Sequence, residues 1–80
     1  MKIKQAKEYF EDGVITGFDA VRDPLMPGAW LLVVIGSKTS GKSWTLETAL
    51  GKQKSYANLD TLIGEIETIA GRVSSLHINV

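Results

Sequence analysis

The run Ala29-Trp30-Leu31-Leu32-Val33-Val34-Ile35 contains no polar side chain, and in a chain of 80 residues it constrains the fold more than any other feature. Strand alternation puts Trp30, Leu32 and Val34 on one side and Leu31, Val33 and Ile35 on the other, so both faces are apolar, the pattern of a strand covered twice. A chain this short buries only about 60 to 65% of the surface its unfolded form exposes, which leaves room for one modest core. A single domain over 1–80 is expected, and its own helices cannot cover both sides of such a strand.

The remaining elements follow from periodicity and punctuation. Ile3, Ala6 and Phe10, with Tyr9 alongside, lie at helical spacing and predict an amphipathic helix over 2–12 that ends at Gly13. From Val14 to Val21 the chain reads as a strand with Val14, Thr16, Phe18 and Ala20 on one side, and Gly17 marks a bulge or a close backbone approach. Arg22 to Gly28 carries two prolines and a closing glycine, a loop with Leu25 and Met26 near its tip. Gly36 to Gly41 is a turn by composition. Ser43 to Leu50 resumes period two, with Trp44, Leu46 and Leu50 on one side and Thr45, Glu47 and Ala49 on the other, so the pair reads as a hairpin. Gly51 to Tyr56 is either a strand continuation or a polar connection. Asn58 caps a helix whose apolar face is Leu59, Leu62, Ile63, Ile66, Ile69 and Ala70, closed by Gly71. Ser74, Leu76, Ile78 and Val80 alternate with Val73, Ser75, His77 and Asn79 as a last strand. The order αβββαβ predicts an α+β two-layer sandwich: a four-stranded, mainly antiparallel sheet with both helices on one face.

That architecture leaves one apolar sheet face open, and the economical cover is a second copy of the chain across a two-fold axis. A homodimer is expected, with its interface on Trp30, Leu32 and Val34 and on Leu25 and Met26 of the proline loop; the alternative is a monomer in which strong sheet curl and the proline loop hide this surface. Nine Lys plus Arg balance nine Asp plus Glu, which gives no global attraction to nucleic acid or anionic lipid. The absence of cysteine excludes disulfides, thiolate metal sites and a thiol nucleophile, and points to the cytoplasm. The longest apolar run falls far short of the roughly 20 residues of a membrane span.

Gly36-Ser37-Lys38-Thr39-Ser40-Gly41-Lys42-Ser43 satisfies the phosphate-loop pattern G-x-x-x-x-G-K-[ST]. In that reading Gly36 and Gly41 shape the loop, Lys42 reaches the β and γ phosphates and Ser43 ligates magnesium. A phosphate loop must open into a helix, whose N-terminus supplies aligned amides and positive dipole. The residues after Ser43 alternate like a strand, and too little chain remains for the rest of a nucleoside triphosphatase. A hairpin turn with a basic tip is therefore the favoured reading. Paired Ser43 to Leu50 would remove the nucleotide alternative and a helix there would restore it.

Other chemistry is sparse. His77 has no partner at diagnostic spacing, zinc is implausible without cysteine, and the acidic groups Glu8, Glu11 and Asp12 or Glu65 and Glu67 read as solvated helix surface. No cofactor and no enzymatic activity are expected. Lys38 and Lys42 at the hairpin tip and Lys52 and Lys54 beyond it form a candidate nucleic-acid contact, which Arg22 and Arg72 join if neighbouring strand ends converge.

The strings Lys4-Gln5-Ala6-Lys7-Glu8-Tyr9-Phe10, Gly17-Phe18-Asp19-Ala20-Val21-Arg22-Asp23-Pro24, Pro27-Gly28-Ala29-Trp30 and Ser43-Trp44-Thr45-Leu46-Glu47-Thr48-Ala49 are spread over the segment from Lys4 to Ala49. Their wording resembles the small partition-associated (ParC-like) accessory proteins encoded beside segregation genes on bacterial plasmids. The resemblance implies a cytoplasmic accessory protein of plasmids or other mobile elements that binds another protein of that system rather than performing chemistry, with a hairpin from Trp30 to Trp44 as the shared feature.

Overall fold

A computed structural model describes residues 1–37, 41–73 and 76–79. Helix α1 (Ile3–Glu11) begins where the Lys2 backbone N–H donates to Gln5 Oε1 at 3.2 Å. It buries Ala6 fully and turns Tyr9 and Phe10 toward the sheet, where Phe10 meets Phe18 with ring centroids 6.0 Å apart and Tyr9 meets Trp44 at 6.1 Å. Helix α2 (Leu59–Ala70) starts at Asn58, whose Oδ1 accepts from the Thr61 backbone N–H at 2.9 Å, and ends at Gly71, whose N–H returns to the Glu67 carbonyl. Its buried stripe is Leu62, Ile66 and Ile69. Apolar residues at intervals of three and four place that stripe on one face, as the sequence predicts.

The sheet is mixed and has five strands, β1 (Ile15–Arg22), β2 (Trp30–Gly36), β3 (Ser43–Thr45), β4 (Ser55–Tyr56) and β5 (His77–Ile78). Strand β2 is central: β1 pairs with it on one side, and β3 and β4 share its other edge, all antiparallel. On the far side of β1, β5 runs parallel through Asp19↔His77 and Ala20↔Ile78. The α+β class is as expected; the strand count and order are not. The four-stranded αβββαβ arrangement gives way to αββββαβ because the edge strand opposite β2 is interrupted.

That interruption lies at Leu46. The Leu46 N–H still donates to the Leu32 carbonyl at 2.9 Å, but the chain then departs and returns at Lys54, whose N–H donates to the Leu46 carbonyl at 2.9 Å. The excursion closes on itself through Thr48 N–H to the Lys52 carbonyl at 2.7 Å, with Gly51 at φ +85° in its turn, a region L-residues rarely adopt. Leu50, expected beside Trp44 and Leu46, is instead 87% exposed at the tip, while Leu46 itself is fully buried. The outer side of this edge is capped by residue 1: the Met1 ammonium donates to the Thr45 carbonyl at 3.1 Å and pairs with Glu47 Oε2 at 3.2 Å.

Strand β1 carries the bulge expected at Gly17. Ile15 opposes Gly36 and Gly17 opposes Ile35, so Thr16 is the extra residue and the alternation slips by one. The core-facing set is therefore Ile15, Phe18 and Ala20; Thr16, expected with them, is exposed. Both helices cover one face, where Trp30, Leu32, Val34, Tyr56, Leu62 and Ile66 join a single buried cluster. Of the expected last strand, Ser74, Ser75 and Val80 lie outside the described residues, as do residues 38–40 of the turn.

Candidate interaction surface

The face of the sheet away from the helices follows from the pairing register, because residues directly opposite in adjacent strands share a side. Leu31 opposes Val21 and Ser55; Val33 opposes Asp19 and Thr45; Ile35 opposes Gly17 and Ser43; His77 stands beside Asp19. The result is an aliphatic stripe of Val21, Leu31, Val33 and Ile35 with a polar margin on either side. Val33 and Ile35 remain partly exposed. Leu31, on the same side, is only 6% exposed.

Trp30, Leu32 and Val34, expected at the partner surface, are instead exposed by only 6%, 0% and 0% and face the helices of their own chain. The physical reason is size. Phe18, Trp30, Trp44 and Tyr56 supply the bulk that fills the space between sheet and helices, whereas the open side carries only Gly, Val, Leu and Ile among its apolar positions. The outward parity of β2 is Leu31, Val33 and Ile35. The preference of Tyr9 and Phe10 on α1 for aromatic neighbours is the sequence signal that distinguishes the two faces.

Leu25 and Met26 do reach the surface, at 87% and 56% exposure. Their loop is held firmly: Asp23 Oδ1 accepts from the Leu25 N–H at 2.9 Å, Ser55 Oγ donates to Asp23 Oδ2 at 2.8 Å, and Asp23 N–H donates to the Ala29 carbonyl at 3.1 Å. Pro24 and Pro27 fix two further φ angles. Met26 Sδ lies 3.8 Å from Ser55 Oγ, and Ser55 opposes Leu31, so the loop rims the open face at the end where β1 passes into β2.

Among the described residues, Arg22 and Lys42 of the candidate nucleic-acid contact are not drawn into one patch. Lys42 precedes β3 at one end of the sheet, and Arg22 ends β1 at the other, where its guanidinium stacks 4.1 Å from the Trp30 ring centroid. Seven residues of β2 separate these ends, a span of about 20 Å at the usual strand rise. Lys54 Nζ donates to Glu65 Oε1 at 2.7 Å and lies 5.4 Å from the Tyr56 ring centroid. Lys52 is exposed on the excursion, and Lys38 falls outside the described residues.

The phosphate-loop pattern meets part of the condition set against it: of Ser43 to Leu50, Ser43 to Thr45 pair with β2, and residues 38–40 of the pattern lie outside the described residues. Ser43, Trp44 and Thr45 are a strand opposite Ile35, Val34 and Val33, and the Gly36 N–H donates to the Lys42 carbonyl at 2.7 Å across the hairpin. Gly36, Gly41, Lys42 and Ser43 therefore lead into a ladder, with no helical N-terminus at Ser43 to meet an anion.

Two polar groupings were not legible in the sequence. Tyr56 Oη donates to Glu65 Oε1 at 3.0 Å, joining Lys54 on the same carboxylate and tying β4 to α2. Burial first, then the Glu65 charge and this hydrogen bond, push the Tyr56 phenol far above its ordinary value of 10.0. His77 Nδ1 lies 3.5 Å from Asp19 Oδ1, both exposed enough to water that the pair is a surface contact. An open cleft of about 460 Å³ lies between the start of α1 and the excursion, bordered by Lys2, Ile3, Lys4, Glu47, Ala49 and Lys54. Its charges are partly spent, Lys54 on Glu65 and Glu47 on the Met1 ammonium. Among the described residues no helix is long and apolar enough to cross a membrane, and no three His, Asp or Glu side chains group as metal ligands. No protein-family model, curated protein or solved structure matches this chain.

Proposed function

We propose that this protein is a non-enzymatic interaction module that forms a homodimer by packing the open faces of two sheets together. The observation that carries the reading is the stripe Val21, Leu31, Val33 and Ile35 on the side of the sheet that neither helix covers, continuous with the exposed Leu25 and Met26. Sheets commonly solve this problem by stacking face to face with strand directions within about 30°. The proposed setting is the maintenance of plasmids or other mobile elements in the bacterial cytoplasm, alongside another protein of that system; support for it lies in the sequence strings that resemble partition-associated proteins. The separation of Arg22 from Lys42, with zero net charge, favours protein over nucleic acid as the partner.

The test is a comparison of the wild type with Val33→Asp by light scattering over a range of concentrations. The wild type is expected to approach twice the 8.7 kDa chain mass and Val33→Asp to remain at the chain mass with unchanged circular dichroism. A wild type that stays at one chain mass at high micromolar concentration overturns the proposal.

A further inference from the structure

The open face has a knob and a notch at opposite ends of the same two strands. The knob is the braced loop carrying Leu25 and Met26 beyond Arg22 and Trp30. The notch is Gly17, which stands on the open side opposite Ile35 and offers no side chain. Neither the backbone conformation at Gly17 nor the space around it demands glycine. Gly17 is absent from the glycines with positive φ, and a Cβ built on it meets only Ile35, at 3.7 Å from its Cβ, an ordinary van der Waals contact. Glycine in a strand forfeits packing and conformational entropy and marks either a bulge or a close approach by another surface; the extra residue of the bulge is the neighbouring Thr16, which leaves the close approach as a use for Gly17 itself.

Area leads to the same place. Four strand widths along β3-β2-β1-β5 and the seven-residue length of β2 give an open face of ~440 Å², well short of the ~800 Å² per partner that a stable interface usually buries. Sheet contact alone is too small, and the loops must contribute.

The geometry points to a reciprocal clasp: in the dimer, Leu25 and Met26 of each protomer seat over Gly17 and Ile35 of the other. This rests on the proposed sheet-to-sheet dimer and specifies it. A two-fold axis lying between the sheets and perpendicular to the strands reverses strand direction while keeping each strand column over itself. It therefore carries the β1–β2 loop of one copy onto the far end of the same strand pair in the other, and makes both contacts at once, as an isologous interface requires. The occupant of the face is a second copy because knob and notch lie on one chain in that symmetric relation.

The chain contains no cysteine, so paired substitutions report directly. Gly17→Cys protein mixed with Leu25→Cys protein is expected to form a disulfide-linked dimer on mild oxidation, since the bond requires Cα atoms within about 7 Å. Either variant alone is expected to cross-link poorly, because the two-fold places like residues at opposite ends of the interface. Within one chain, positions 17 and 25 are separated by the five-residue rise to Arg22, about 16 Å, before the loop begins, so the link cannot close internally. Leu25→Ser and Gly17→Val are each expected to weaken dimerisation about tenfold or more while leaving the far-ultraviolet circular dichroism unchanged; Gly17→Ala is the milder variant should Val disturb the bulge. Should the protein be dimeric by light scattering but cross-link only like with like, or keep its affinity in both variants, the clasp is wrong and the dimer stands. A protein monomeric at all concentrations overturns both.

Discussion

Leu31 and Leu32 are adjacent, chemically identical and almost equally buried, at 6% and 0% exposure, yet they lie on opposite faces of β2. Leu32 sits between sheet and helices with Leu62 and Ile66 in the same cluster, so Leu32→Ala leaves a hole that close-packed neighbours on both sides cannot fill. The lost side chain costs about 2 kcal/mol in transfer and the cavity adds roughly 1 to 2 more, for a total near 3 to 4 kcal/mol. Against a typical total of roughly 4 to 12 kcal/mol for 80 residues, that is a large fraction. At about 4 to 8 °C per kcal/mol, Leu32→Ala lowers Tm by roughly 12 to 30 °C. Leu31 has a single layer beneath it, and solvent or neighbouring side chains can close over the gap, so Leu31→Ala costs the protomer only about 1.5 to 2.5 kcal/mol. Thermal unfolding followed by circular dichroism at about 1 µM and about 100 µM reads association separately, because Tm depends on concentration only where folding is coupled to self-association. Wild type, Leu32→Ala and Leu31→Ala should all keep a Tm that rises with concentration, and Val33→Asp, at a partly exposed position of the open face, should lose most of that rise. Equal destabilisation by the two leucine variants, with the concentration dependence intact in Val33→Asp, would refute the assignment of the two faces.

Further outcomes follow from the polar contacts. Tyr56→Phe removes a donor to the charged Glu65 while Lys54 remains on it, and should cost about 1 to 2 kcal/mol at neutral pH by urea denaturation. The Tyr56 phenol is raised in the folded protein, so its contribution is complete below the unfolded value near 10 and is lost as pH climbs from there toward the folded value; above pH 10 the unfolded chain binds fewer protons, and wild-type stability should fall relative to Tyr56→Phe by up to about 1.4 kcal/mol per pH unit. Parallel stability curves for the two proteins between pH 9 and 11 would contradict that assignment. Magnesium and ATP should leave Tm unchanged in wild type and in Lys42→Ala alike, since Ser43 opens a strand rather than a helix; a stabilisation abolished by Lys42→Ala would reinstate the phosphate loop.

The legible parts of this fold are those with long, regular signals. The α2 stripe, its Asn58 cap and Gly71 terminus could be read directly, as could the hairpin around Gly36 to Ser43, because each spans enough residues for periodicity to register. The edge strand could not be read, because Leu46 continues the apolar alternation up to the point where the chain leaves the sheet, and the two-residue β4 is too short to carry any period. Tyr56 is buried by a partner, Glu65, that adjoins it only once α2 has folded back. The last strand is announced by the alternation from Val73 to Val80, but among the described residues only His77–Ile78 pairs, and its parallel partner β1 is not encoded locally. Gly17 is visible as an irregularity, but the slip beside it, which leaves Ile15 inward and Thr16 outward, is a property of the pairing with β2. The candidate surface was foreseen as a consequence of a strand apolar on both sides, yet its residues were those of the opposite parity, because alternation identifies two faces without saying which of them the helices will cover.

The proposed dimer buries the face made by Val21, Leu31, Val33 and Ile35 between two chains. Solvent paramagnetic relaxation of methyl resonances measures that directly, with Leu50, 87% exposed at the tip of the excursion, as the reference outside the interface. At high protein concentration the Val33 and Ile35 methyls should be shielded from a soluble paramagnetic probe and become accessible on dilution, while Leu50 stays accessible throughout. Val33 and Ile35 methyls that relax equally at every concentration would show that the open face remains in water, and would contradict the account.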